Sequence, residues 1–401
     1  MISSSKSFAL YSQAIIICFG IINVILNKTY FSQENLGRYY LLTSVLILKE
    51  LLTSGVIQNY MIKLSKSEKP NHRLVLINSL TSYLLKKTPY LFILSLFFSY
   101  FTIPGVDLKY IFLFALLLSF DFTTMWYFPV LESTGNLHRL YRYRVIVTVL
   151  AYISSWLILY LHKSLYSVLI FLLISIVVKF ALILNHYKRI IWEFELTNSI
   201  PKSISSLQTK INLTFFSSLV HKATLFPLLR PSLGLEIIGS IGVISSIFSS
   251  ASSLSREIIR SNLKVYGAMY VEKSSKLLST FTRDLLTSLL IYILSIIGVG
   301  LLIYVSKFAE SLYLFWGLFY LSSFYFFGLY VANQNLWFHR LYDKEPLRWQ
   351  YLALALVTLT LPLFTETSTI FIILSITTIA MACSAVYLSY TIYLKNISKC
   401  D

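Results

Sequence analysis

The sequence predicts an all-α polytopic membrane protein, with about twelve transmembrane helices in two six-helix lobes. Three observations carry this expectation. The apolar runs are continuous, and each is long enough to cross the ~30 Å hydrocarbon core at 1.5 Å per residue. A membrane β-barrel would instead show short alternating segments. Only 13% of the 401 residues are charged and mean hydropathy is +0.71, against about 25% charged residues in a soluble domain. The cations are also unevenly placed. With both termini inside, 25 of the 34 Lys and Arg fall in inner segments, 6 in outer turns and 3 within spans. That asymmetry predicts cytoplasmic N- and C-termini. The net charge of +17 is therefore read as cationic cytoplasmic loops, and nucleic acid is not an expected partner.

Taken in order, the spans are predicted at 8–26, 39–62, 88–104, 108–131, 145–162, 164–185, 211–231, 233–255, 284–306, 309–332, 349–363 and 368–393. The first follows a Ser-rich leader with Lys6 and is too long for a signal-peptide core, so it reads as an uncleaved span. Spans three and four turn at Pro104-Gly105, and spans eleven and twelve turn after Pro362. Pro227 and Pro231 predict a kinked or broken seventh span. Inner segments 63–87 and 256–283 are long and basic. Their stretches 73–80 and 276–281 are amphipathic and suit interfacial helices on the anionic inner leaflet, or else plain long loops.

An internal duplication is also suggested. Gly37–Leu46 lines up with Gly239–Phe248, each opening a span that runs into a basic inner loop. The predicted lobes are 1–205 and 206–401. Parallel repeats of this kind put a transport site at the interface of the halves.

Catalytic signatures are few. No Gly-rich Lys-Ser/Thr phosphate loop occurs, so ATP hydrolysis is not expected. The six His are scattered without metal-ligand spacing. Of the three Cys, Cys18 and Cys383 lie in apolar runs and Cys400 is next to the last residue. No disulfide, metal or cofactor is expected. The outer turns are too short for a glycan polymerase or ligase that holds its acceptor outside. The reading is a transporter, not an enzyme.

The ionisable residues inside spans are what remain. A charge at mid-membrane costs at least ~2.5–3.5 kcal/mol on insertion scales, so it should face protein or water. Span two carries Lys49 and Glu50, and Glu50, Ser54 and Gln58 fall at i, i+4 and i+8, a polar stripe on an otherwise apolar helix. Asp121 in span four and Lys179 in span six read as a structural ion pair. Lys49 either faces a cavity or pairs with a carboxylate. Lys222 shares a face of span seven with Thr214 and Ser218 and reads as a cavity cation. Lys28, Arg38 and Arg230 stand at outer ends, where they serve a substrate or anchor to lipid headgroups. Lys28, Arg38, Lys49, Lys222 and Arg230 are the candidate substrate-binding residues. Ser245, Ser246, Ser249, Ser250, Ser252, Ser253 and Ser255 make span eight suited to close packing or a wet lining.

The first hairpin brings these features together. Gln13 in the leading helix, Lys28 after it, and Glu34-Asn35-Leu36-Gly37-Arg38-Tyr39-Tyr40 opening span two resemble the polysaccharide flippases. These are the O-antigen and capsule exporters of the multidrug/oligosaccharidyl-lipid/polysaccharide superfamily. The resemblance is strongest over 8–65 and extends to 211–285. It departs at His221-Lys222, where related proteins often carry an acid before the cation. It implies two six-helix lobes that rock to expose a central cavity to each side in turn. It implies an undecaprenyl-pyrophosphate-linked oligosaccharide as substrate, membrane lipids around it, and other polysaccharide-assembly membrane proteins as possible partners. A cation-coupled small-molecule exporter of the same superfamily is the first alternative, and a membrane glycan polymerase or ligase the second.

Overall fold

The computed structural model of the chain describes residues 4–53, 56–66, 70–187, 217, 234–235, 237–272, 274–305, 315–342, 346–360 and 367–397. Among them every regular element is helical. The chain divides into two compact units, Tyr11–Asn212 and Leu213–Asp401, the latter taking in Met1–Leu10. The lobe boundary predicted at 205/206, and the whole of predicted span seven apart from Ser217, lie outside the described residues.

The first unit is built from α1 (Ser4–Tyr30), α2 (Gln33–Val45), α3 (Leu48–Thr53), α4 (Val56–Lys66), α5 (Pro70–Thr102), α6 (Leu108–Thr123), α7 (Tyr127–Ser133), α8 (Leu137–His162) and α9 (Tyr166–His186). The second contains α10 (Ile237–Ser261), α11 (Leu263–Val271), α12 (Leu277–Val305), α13 (Phe315–Leu341), α14 (Arg348–Thr360) and α15 (Thr367–Ile397). Seven stretches among the described residues are long and apolar enough to cross a membrane, and the chain is a multi-pass membrane protein.

The helices turn apolar side chains outward and keep polar ones inside, as a bilayer requires. On α12, Leu286, Leu290, Ile293, Leu294, Ile297 and Leu301 are exposed, while Ser288 and Tyr292 are buried. On α1 the amides Gln13, Asn23 and Asn27 are buried while Tyr11, Ile22 and Ile25 are exposed. Lipid is as apolar as leucine, so the buried faces are held by close packing and hydrogen bonds.

Two predicted spans are interrupted. Span two is not one helix: α2 ends at Val45 and α3 begins at Leu48. Thr43 and Ser44 turn their hydroxyls back onto the carbonyls of Tyr40 and Leu41, and Thr53 does the same to Glu50. Such back-bonding competes with the helical ladder. The polar stripe predicted for Glu50, Ser54 and Gln58 lies C-terminal to this break. Glu50 is exposed, and Ser54 and the Gln58 side chain lie outside the described residues. Span four breaks between α6 and α7, where the backbone N–H of Thr124 caps α6 on the carbonyls of Asp121 and Phe122.

The amphipathic stretches 73–80 and 276–281 are not separate surface helices. The first belongs to the 33-residue α5 and the second opens the 29-residue α12. One apolar face of each meets protein: Leu76, Ile77 and Leu80 are buried, and Leu277 and Phe281 pack with Ile259, Tyr266 and Phe338, while Val75 is exposed.

Each unit ties neighbouring helices by side-chain hydrogen bonds. In the first unit Tyr60 Oη meets Ser79 Oγ at 2.6 Å, and Tyr83 donates to the Leu52 carbonyl at 3.0 Å. In the second, Tyr266 donates to Asp284 Oδ2 at 2.6 Å, and Ser288 to the Ser255 carbonyl at 2.9 Å. In the first unit these bonds tie α3 and α4 to α5, and in the second they tie α10 and α11 to α12. Asn262 donates to the same Asp284 oxygen. Burial, with the Asp284 carboxylate alongside, raises the Tyr266 phenol well above its usual range, so it remains a donor.

Candidate functional site

The polar core of the first unit converges on Asp121. This residue lies in the last turn of α6, just before the break at 124–126, and its side chain is 5% exposed. Lys49, in the first turn of α3 just after the other break, places Nζ 2.5 Å from Oδ2. Lys179 on α9 places Nζ 2.5 Å from Oδ1. Two ammonium groups therefore share one carboxylate.

A second buried pair joins Arg144 on α8 to Glu132 on α7 at 3.1 Å, with the Arg144 guanidinium over the Phe128 ring. Asn23 on α1 links two aromatic residues: it donates to Tyr39 Oη at 3.1 Å and accepts from Trp156 Nε1 at 3.1 Å.

The second unit has a different core. Ser389 on α15 donates to Asn335 Oδ1 at 2.9 Å and lies 2.9 Å from His339 Nε2, both on α13. The two units therefore differ in charge at these clusters: an ion triad in one, an amide–hydroxyl–imidazole group in the other.

The candidate cations are placed as follows. Lys49 joins Asp121 and Lys179. Lys28 lies half-buried in the last turn of α1. Arg38 holds the turn at Pro104: Nε donates to the Pro104 carbonyl at 3.0 Å, Nη1 to Asn35 Oδ1 at 2.9 Å, and Nη2 lies 3.4 Å from Glu34. Gly105 has φ +68°, and a Cβ there would meet Arg38 Nη2 at 3.1 Å. Lys222 and Arg230 lie outside the described residues. The sequence pairs Asp121 with Lys179 but does not bring Lys49 to them, because it carries no signal for which spans are neighbours.

No family model matches the chain, and no curated protein does either. Solved structures do match. An outward-facing conformation of a multidrug resistance MATE family transporter of the MOP superfamily aligns at TM-score 0.63 and 14% identity, covering 98% of this chain and 96% of that one. The MATE multidrug transporter DinF-BH, solved in complex with a ligand, aligns at 0.66 and 13%, covering 97% and 94%. MATE in the straight conformation aligns at 0.66 and 11%, covering 98% and 96%. The fold is that of these MATE transporter structures, an all-helical polytopic arrangement.

Proposed function

We propose that the chain is a flippase, moving an undecaprenyl-pyrophosphate-linked oligosaccharide from the inner to the outer leaflet by alternating access. The fold supports export: structures similar to this one include outward-facing and inward-facing conformations of a MATE transporter. The choice of an anionic lipid-linked substrate rests on the hairpin resemblance and on one observation. A cation-coupled drug exporter needs a carboxylate open to its coupling ion. The buried carboxylate at the centre of the first unit, Asp121, already holds two lysines. Lys28, Lys222 and Arg230 are the cations we assign to the pyrophosphate, with Arg38 and Lys49 shaping the site through their protein partners.

The test is reconstitution of the purified protein in liposomes. Translocation of a lipid-linked oligosaccharide, with no gradient-driven uptake of a cationic dye, is the expected result. Dye transport without lipid translocation favours the multidrug reading, which the names of the similar structures support. Lys222→Arg should keep much of the activity, and Lys222→Ala should abolish it at normal protein level.

A further inference from the structure

We infer that the Lys49–Asp121–Lys179 triad is a receptor for one small monovalent inorganic anion of the chloride class. This goes beyond the flippase reading and does not depend on it.

Charge is the first ground. With both lysines protonated, two ammonium groups and one carboxylate leave one positive charge on a cluster that joins two membrane-spanning segments. An unbalanced ion there is strongly unfavourable. The other described acids of the first unit are engaged or remote: Glu34 lies against Arg38, Glu132 binds Arg144, Asp107 caps α6, and Glu50 is exposed. Among the described residues, Asp121 is the acceptor that each lysine reaches.

Donor capacity agrees. Each ammonium has three N–H donors, and Asp121 takes one from each. An anion seated between the two ammonium groups would complete an alternating ring of two cations and two anions. Size then selects the ligand. The lysine side chains are 16% and 15% exposed, and so buried a pair favours a small ion over a sugar-bearing diphosphate. A single monovalent charge also balances the triad, where a diphosphate would overcompensate it.

The full-length protein in nanodiscs provides the test. Chloride or bromide, compared with gluconate at equal ionic strength, should raise Tm saturably by a few degrees. Radioactive chloride should bind specifically at about one ion per protein, as a single receptor site requires. Lys49→Met and Lys179→Met each leave a neutral pair and should lose both responses, while Lys179→Arg should keep them. A wild-type protein with no halide response and no specific chloride binding overturns the inference. So does binding that persists in both Lys→Met variants. Should those variants fail to fold, the wild-type binding measurement still decides.

Discussion

Lys49 and Lys179 grip opposite oxygens of one carboxylate, each at 2.5 Å. Asp121 is therefore the residue whose loss should do most damage. Asp121→Asn strands two buried cations, and removing one side of a buried pair typically costs about 3–5 kcal/mol. Folded protein surviving a heat challenge in detergent should fall sharply. Adding Lys49→Met and Lys179→Met to Asp121→Asn should restore much of it, because no charge is then left unpaired.

Gly328 on α13 marks a close approach to α15. A Cβ there would lie 2.6 Å from the Thr378 carbonyl carbon and 2.7 Å from Ile379 N. Backbone cannot yield as a side chain can, so Gly328→Ala should force the helices apart at a cost of about 1–3 kcal/mol. Gly317, on the same helix with nothing within 4 Å of its Cβ position, is the control. Gly317→Ala should be neutral or stabilise by up to about 1 kcal/mol through helix propensity. Thermal melts of the two variants check the contrast.

Tyr60 and Tyr266 should differ in weight. Tyr60 meets a hydroxyl and Tyr266 a buried carboxylate. A hydrogen bond to a charged group contributes about 1.5–3 kcal/mol, and a neutral one about 0.5–1.5 kcal/mol. Tyr266→Phe should therefore lower Tm more than Tyr60→Phe.

Arg38 tests whether fork geometry or charge matters at the turn at Pro104. Its guanidinium reaches the Pro104 carbonyl and Asn35 at once, which a lysine ammonium on its flexible stem reproduces poorly. In thermal melts, Arg38→Lys should destabilise nearly as much as Arg38→Ala. If lysine substitutes fully, charge alone is what the position requires.

The sequence is informative about what depends on local chemistry. Long apolar runs locate the spans, and Pro104-Gly105 locates a turn. It is less informative about interruptions. The breaks at Leu46–Ile47 and Thr124–Trp126 lie beside hydroxyls that turn onto nearby carbonyls, and threonine and serine do this in many unbroken helices. Periodicity shows that 73–80 and 276–281 are amphipathic but not that one apolar face of each meets protein. Lys49 joins Asp121 only through the packing of separate spans, a relationship that no spacing within one helix encodes.

Passage of lipid-linked oligosaccharide through this protein is tested most directly by the leaflet position of completed repeat units in cells depleted of it. A membrane-impermeant glycosidase on intact spheroplasts reads that position. The units should accumulate and stay protected until the membrane is opened. Units that accumulate but are cleaved in intact spheroplasts would contradict the flippase role, because they would already have crossed.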